Sequence, residues 1–220
     1  MDFARARRAM VNSQVRTNDV TDLRIVGAML EVPRERFVPA AQQALAYADF
    51  DVPVKDGKVG RRCLLKPMVL AKLLQALDLQ ETDHVLDVGC ATGYSSALLA
   101  RLAGSVIALE EDATLARFAK DALVSSGETR VEIVTGPLTA GWPAAGPYDL
   151  IFLNGAIEVV PPALATQLKP GGRLAAVVGK GPPTKAMLYR WVDGDLSGWP
   201  VFDAGASLLP GFSAPPGFVF

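Results

Sequence analysis

The stretch HVLDVGCATGYSSALLARL, His84–Leu102, decides how this chain is read. Val85, Leu86 and Val88 make a short apolar run broken only by Asp87. Gly89 and Gly93 follow, four residues apart, and a helix-like pattern begins at Tyr94. A buried strand that ends in an acid, turns on small residues and continues as a helix is one βα unit. Small residues at such a turn let the backbone approach a ligand closely.

The same alternation continues downstream. SVIALE (105–110), RVEIVTG (130–136), YDLIFLNGA (148–156) and GGRLAAVVGK (171–180) read as further strands. Between them, ATLARFAKDALVSSG (113–127) and PPALATQLK (161–169) read as helices. Gly104 and Gly127 stand where glycine commonly closes a helix. Short apolar strands alternating with helices imply a parallel sheet covered on both faces.

Upstream, TDLRIVGAMLEV starts from a candidate cap at Thr21 and sets Leu23, Val26 and Leu30 on one face. Pro33 and Pro39 end that helical region. Tyr47–Arg62 is polar and irregular, a loop or short edge strands. MVLAKLLQALDL, after Pro67, is an amphipathic helix. The last segment, KAMLYRWVDGDLSGWPVFD (185–203), predicts an antiparallel pair turning near Asp193-Gly194-Asp195. The fold expected is therefore α/β: a Rossmann-like, mostly parallel sheet with helices on both faces, an N-terminal helical extension and an antiparallel C-terminal element. The division expected is a single domain over 1–220, with N-terminal helices and a substrate-side loop in 1–66. A cofactor-binding core in 67–180 and the antiparallel element in 181–220 complete it.

Composition narrows the function. The chain has 220 residues, half of them hydrophobic, and a net charge of −1. That suits one domain with a sizeable core and gives no electrostatic footprint for nucleic acid. The basic run Ala4–Arg8 reads as a solvated helix face. No apolar run reaches the roughly 18–20 residues that span a bilayer, and the N-terminus has no apolar signal region. The expectation is a soluble, cytoplasmic protein without membrane contact. The two cysteines, Cys63 and Cys90, suit a reducing compartment and are wrongly spaced for a metal site. His84, the single histidine, reads as a strand-entry residue, which disfavours triad and metal hydrolysis. Oligomeric state is not legible.

In an open α/β sheet the ligand sits outside the carboxyl ends of the strands. Glu110 ends the second strand of the unit, where an acid accepts hydrogen bonds from both hydroxyls of a ribose. The ligand expected is thus adenosine-containing. A dinucleotide turn wants G-x-G-x-x-G, and here Ala91 stands between Gly89 and Gly93. Asp87, at the mouth, repels a pyrophosphate and suits a ligand carrying an ammonium and a sulfonium. S-adenosylmethionine is favoured over NAD.

Several blocks then resemble the protein-L-isoaspartate O-methyltransferase family of S-adenosylmethionine-dependent methyltransferases. They are MVNSQV (10–15), MLEVPRERFVP (29–39), AYAD (46–49), VLDVGCATGYSSALLA (85–100), GWPAAGPYDLIFLNGA (141–156) and PPALATQLKPGGRLAAVVG (161–179). The resemblance implies methyl transfer to a carboxylate of a damaged, isoaspartyl-bearing protein or peptide, or to a related acceptor. By position, Asp87, Gly89, Ala91 and Gly93 would line the methionine end of the cofactor and Glu110 would hold the ribose. Where the family has Thr-Ile-Ser-x-Pro, this chain has Cys63-Leu64-Leu65-Lys66-Pro67, so the family serine falls on Leu65. Where the family has Gly-Asp-Gly beside the adenine, this chain has Gly136-Pro137-Leu138.

No catalytic residue is assigned. Lys66 is either a solvated lysine or an attractor for an anionic acceptor. Asn154 either faces the reacting methyl or caps the turn after the fourth strand. Trp142 either walls the site or packs as a core or hinge tryptophan. Two other readings stand beside the enzyme: a catalytically impaired member serving as a cofactor- or protein-binding module, and a nicotinamide oxidoreductase, which the glycine spacing disfavours.

Overall fold

The structure is a computed structural model and describes residues 1–56, 61–179 and 181–214. Part of the irregular stretch Tyr47–Arg62 (57–60), Lys180 and the end of the C-terminal element (215–220) lie outside the described residues. In chain order the elements are α1 (Phe3–Met10), α2 (Leu23–Glu31), β1 (Val52–Asp56), β2 (Arg61–Leu64), α3 (Pro67–Ala76), β3 (His84–Val88) and α4 (Tyr94–Leu102). Then come β4 (Ser105–Glu110), α5 (Ala113–Ser125), β5 (Val131–Thr135), β6 (Tyr148–Ile157), α6 (Pro162–Ala165), β7 (Leu168–Val178), β8 (Lys185–Val192) and β9 (Asp195–Asp203). Helical turns extend α1 to Asn18, and two shorter ones follow α2, one within the VPRERF block (Arg34–Phe37) and one after it (Ala40–Leu45).

Seven strands form one sheet in the order β5-β4-β3-β6-β7-β8-β9. The pairs from β5 through β7 are parallel, and β7-β8 and β8-β9 are antiparallel. The chain leaves β3 toward β4 and β5, then returns to β6 on the other side of β3. Strand order thus reverses at β3, and the carboxyl end of β3 is the crevice where such sheets bind ligands. The β8–β9 turn uses Asp193 and Gly194, both at positive φ, as a tight hairpin demands. β1 and β2 form a separate antiparallel hairpin.

The apolar runs in the central strands have a simple cause. Val85, Leu150 and Phe152 point to one face, packed under α2, α3 and α4. Leu86, Val88, Ile151 and Leu153 point to the other, under Leu138, the short α6, Leu209 and Phe212. Strands buried on both faces have no polar side to alternate with.

Four details differ from the sequence reading. The cap of α2 is Asp22, whose carboxylate accepts the Arg24 N–H at 2.8 Å, while the Thr21 N–H is taken by Gln75. The buried face of α2 is Ile25, Val26, Ala28 and Met29, and Leu23 is 73% exposed. At about 100° per residue, Leu23 points away from Ile25, Ala28 and Met29, so packing centred on those three leaves it in solvent. Gly104 is not a left-handed helix stop. Ala103 caps α4 in an extended conformation, and a side chain at Gly104 would meet the Glu81 carbonyl at 3.0 Å. The helix expected over 161–169 is only the four residues of α6, because the chain enters β7 at Leu168.

Candidate active site

β3 delivers Asp87 to its carboxyl end, and the chain then turns through Gly89 (φ 75°), Ala91 (φ 52°) and Gly93 (φ 91°). The turn is pinned by backbone bonds: the N–H groups of Gly89 and Cys90 both donate to the Leu109 carbonyl, at 2.8 and 3.2 Å. Gly93 sits against α5, where a Cβ would lie 3.2 Å from Ala119. Two positions in this turn require glycine, and the third is filled by an alanine in the left-handed region.

Asp87 is fully buried. Its Oδ2 accepts the hydroxyls of Ser95 and Ser96, at 2.7 and 2.6 Å, from the first turns of α4. Among the described residues its Oδ1 has no partner. Burial pushes the carboxyl up to about 6, against the two serine hydrogen bonds, which pull it down. An unpaired, buried carboxylate oxygen is costly unless a cation meets it. An ammonium at the amino-acid end of S-adenosylmethionine is such a cation, so this end of the site fits the cofactor.

Asn154 lies inside β6 rather than at its end, since the strand runs on to Ile157. It caps no turn. Its Nδ2 donates to the Ser95 hydroxyl at 3.0 Å and to the Gly89 carbonyl at 3.3 Å, which ties β6 to the glycine turn. Pro137 and Leu138 approach from beyond β5. A Cβ at Gly89 would stand 3.5 Å from Leu138, and Trp142 packs over Gly136. Tyr94 is fully buried against Phe37 and Arg34.

Between β2 and α3, Leu65 is 2% exposed, and its carbonyl accepts Arg34 Nη2 at 2.8 Å. Lys66 caps α3 with its backbone, and its N–H donates to Asp51 Oδ1 at 2.7 Å. Leu65, Asn154, Ser207 and Leu209 line one small cavity of about 10 Å³. His84 is the strand-entry residue expected. Its ring bonds the Ser105 hydroxyl and the Ala145 carbonyl at the amino end of β3.

Glu110 stands where the sequence puts it, at the end of β4, fully buried. It is also engaged: Arg62, from β2, grips it in a two-pronged ion pair with a closest approach of 2.7 Å. Sequence reasoning missed Arg62, and it missed Leu209, which reaches Gly89 and Gly155 from the C-terminal segment. The one signal for Arg62 is the two-residue period of the strand, which places it on the same face as Leu64.

Among the described residues, no group of three or more His, Cys, Asp and Glu side chains could hold a metal ion. No described helix is long and apolar enough to cross a membrane. Both cysteines are free and buried.

Comparisons with known proteins agree with this architecture. The family model for protein-L-isoaspartate(D-aspartate) O-methyltransferase matches residues 5–196. A protein-L-isoaspartate O-methyltransferase of Methylorubrum extorquens is 40% identical over 189 residues, covering 86% of this chain and 80% of that protein. One of Rhodopseudomonas palustris is 40% identical over 170 residues, 77% of this chain and 76% of that protein. A solved protein-L-isoaspartate O-methyltransferase superposes with a TM-score of 0.82 at 26% identity, covering 93% of this chain and 66% of that one. A Plasmodium falciparum structure bound to S-adenosyl-L-homocysteine shares the fold, with a TM-score of 0.76 at 17% identity. The chain belongs to the protein-L-isoaspartate O-methyltransferase family, whose members are S-adenosylmethionine-dependent methyltransferases.

Proposed function

We propose that this protein transfers a methyl group from S-adenosylmethionine to the free carboxylate of an isoaspartyl residue in a damaged protein or peptide. One observation carries the reading: at the glycine turn, the switch point of the sheet, Asp87 Oδ1 is buried and, among the described residues, unpaired. S-adenosylmethionine, when bound, supplies a methyl on a sulfonium. Asp87 and the turn of Gly89, Ala91 and Gly93 would hold its amino-acid end, with Glu110 at the ribose. Pro137 and Leu138 would wall the adenine side, and Asn154 would keep the turn in register with β6.

No general base is needed. A carboxylate acceptor, with an ordinary pKa near 4, is already ionised and nucleophilic at neutral pH. What the protein contributes is alignment and exclusion of water, which is worth about 7–11 kcal/mol in well-oriented systems. Leu65 offers no hydroxyl to orient the acceptor, so that task falls to other groups around the same cavity, with Lys66 beside it. In this reading residues 1–66 form the acceptor side of a single domain, 67–180 the cofactor core, and 181–220 the element that backs it. Two free cysteines suit a cytoplasmic setting. The non-catalytic module is not favoured, because the relatives matched over most of the chain are named as methyltransferases.

The test is incorporation of labelled methyl from S-adenosylmethionine into an isoaspartyl peptide and into the same peptide with ordinary aspartate. Label confined to the isoaspartyl peptide is the expected result. Label in neither, under conditions where the protein binds the cofactor, would remove the isoaspartyl acceptor from the reading.

A further inference from the structure

Glu110 has no acceptor capacity left. Arg62 Nη1 donates to Oε1 at 2.9 Å and Nη2 to Oε2 at 2.7 Å. The Glu111 and Asp112 N–H groups also reach Oε1, at 3.0 and 3.1 Å, and the Ala91 N–H reaches Oε2 at 2.8 Å. A carboxylate offers about four lone-pair sites, and these five donors converge on it. A ribose would bring two more donors to the same two oxygens. Arg62 also donates to the Gly89 carbonyl at 2.9 Å, and a Cβ on Gly89 would lie 3.2 Å from its Nη2. The guanidinium thus occupies the space beside the glycine turn as well as the charge of Glu110.

We propose that Arg62 is an internal occupant of the ribose position, a latch on Glu110 that an adenosyl ligand must displace before it can bind. The proposal rests on the cofactor reading above. Arg62 belongs to β2, which pairs with β1 in a sheet separate from the seven-stranded one, so its side chain can leave without disturbing the parallel strands. Glu110 stays in place when Arg62 leaves, because three backbone N–H groups still hold it. Displacement breaks a buried, two-pronged ion pair and puts uncharged hydroxyl donors in its place, so the Coulombic attraction of the guanidinium for the carboxylate is lost. The latch therefore weakens cofactor binding.

Calorimetric titration of the full chain and of Arg62→Met with S-adenosylhomocysteine tests this. Methionine keeps the bulk of the stem and removes every donor. Tighter binding by the variant, about 10- to 100-fold for the loss of competing hydrogen bonds to a charged group, is the expected result. Equal or weaker binding by Arg62→Met overturns the latch and leaves the cofactor reading intact. No binding by either protein overturns both. Should Arg62→Met not fold, Arg62→Lys, which keeps the charge but loses the fork, is expected to gain about 3- to 10-fold, and an unchanged affinity overturns the latch equally.

Discussion

The guanidinium carbon of Arg34 lies 4.6 Å from the centre of the Tyr94 ring, with both side chains fully buried. Arg34 comes from the VPRERF block and Tyr94 opens α4 directly after Gly93, so the contact joins the N-terminal region to the glycine turn. The same guanidinium donates to the carbonyls of Ala46 and Leu65, at 2.7 and 2.8 Å. Lysine cannot reproduce the planar stack or the two divergent bonds. Arg34→Lys is expected to lower stability by about 3 kcal/mol, the sum of a buried cation–π contact and one charge-assisted bond. Urea unfolding measures it, and a change below about 0.5 kcal/mol, the usual scatter of surface substitutions, would mean the contact is incidental.

Asp87 gives a pH dependence with a definite sign. Burial raises its carboxyl from an ordinary 3.8 to about 6. Between those values the folded chain holds a proton that the unfolded chain has lost, so stability from this group falls as pH rises. The penalty is absent below 3.8 and complete above 6. Relative to Asp87→Asn, the wild-type chain is expected to lose about 2 kcal/mol of stability between pH 4.5 and 7.5. Urea midpoints of the two proteins at both pH values give the difference directly. A parallel pH response in both would place the titration elsewhere.

Ala91 stands at φ 52°, in the left-handed region that favours glycine. An L-residue there costs about 1–2 kcal/mol, part of which glycine would return as lost chain entropy. Ala91→Gly is therefore expected to be neutral to about 1 kcal/mol stabilising in chemical denaturation. Ala91 is fully buried, and its N–H bond to Glu110 survives the change. A clear loss of stability would show that the methyl group packs better than the strained backbone costs.

How far the sequence carries depends on whether a residue's neighbours are near it in the chain. The βα alternation and the glycine turn are local patterns, and each central strand is apolar on both faces, so β3, β4 and β6 are legible from their residues. Asp87 and Glu110 are legible because strand ends are. Arg62 is not, because what buries it is Glu110, 48 residues away, and it lies in a polar stretch with no helical period. Leu209 is hidden for the same reason: it sits in a Gly- and Pro-rich segment, and its carbonyl-paired backbone meets Ala156 across the fold. The orphaned oxygen of Asp87 is a fact of three-dimensional burial that no linear pattern encodes.

Leu65 carries the last prediction. Its side chain is packed away from solvent, yet it lines the same cavity as Asn154 and Ser207. Leu65→Ser would place the family's hydroxyl on that cavity and remove most of a buried side chain. Stability is expected to fall by about 2–4 kcal/mol, through lost burial and a cavity that collapses only in part. The Michaelis constant for an isoaspartyl peptide is expected to fall about tenfold, the effect of one added hydrogen bond to a charged acceptor. Unfolding curves and steady-state kinetics on the same preparation separate the two effects. A stability loss with no change in the Michaelis constant would mean that the acceptor carboxylate docks away from position 65, and that the loss of the serine here reflects a different route of approach.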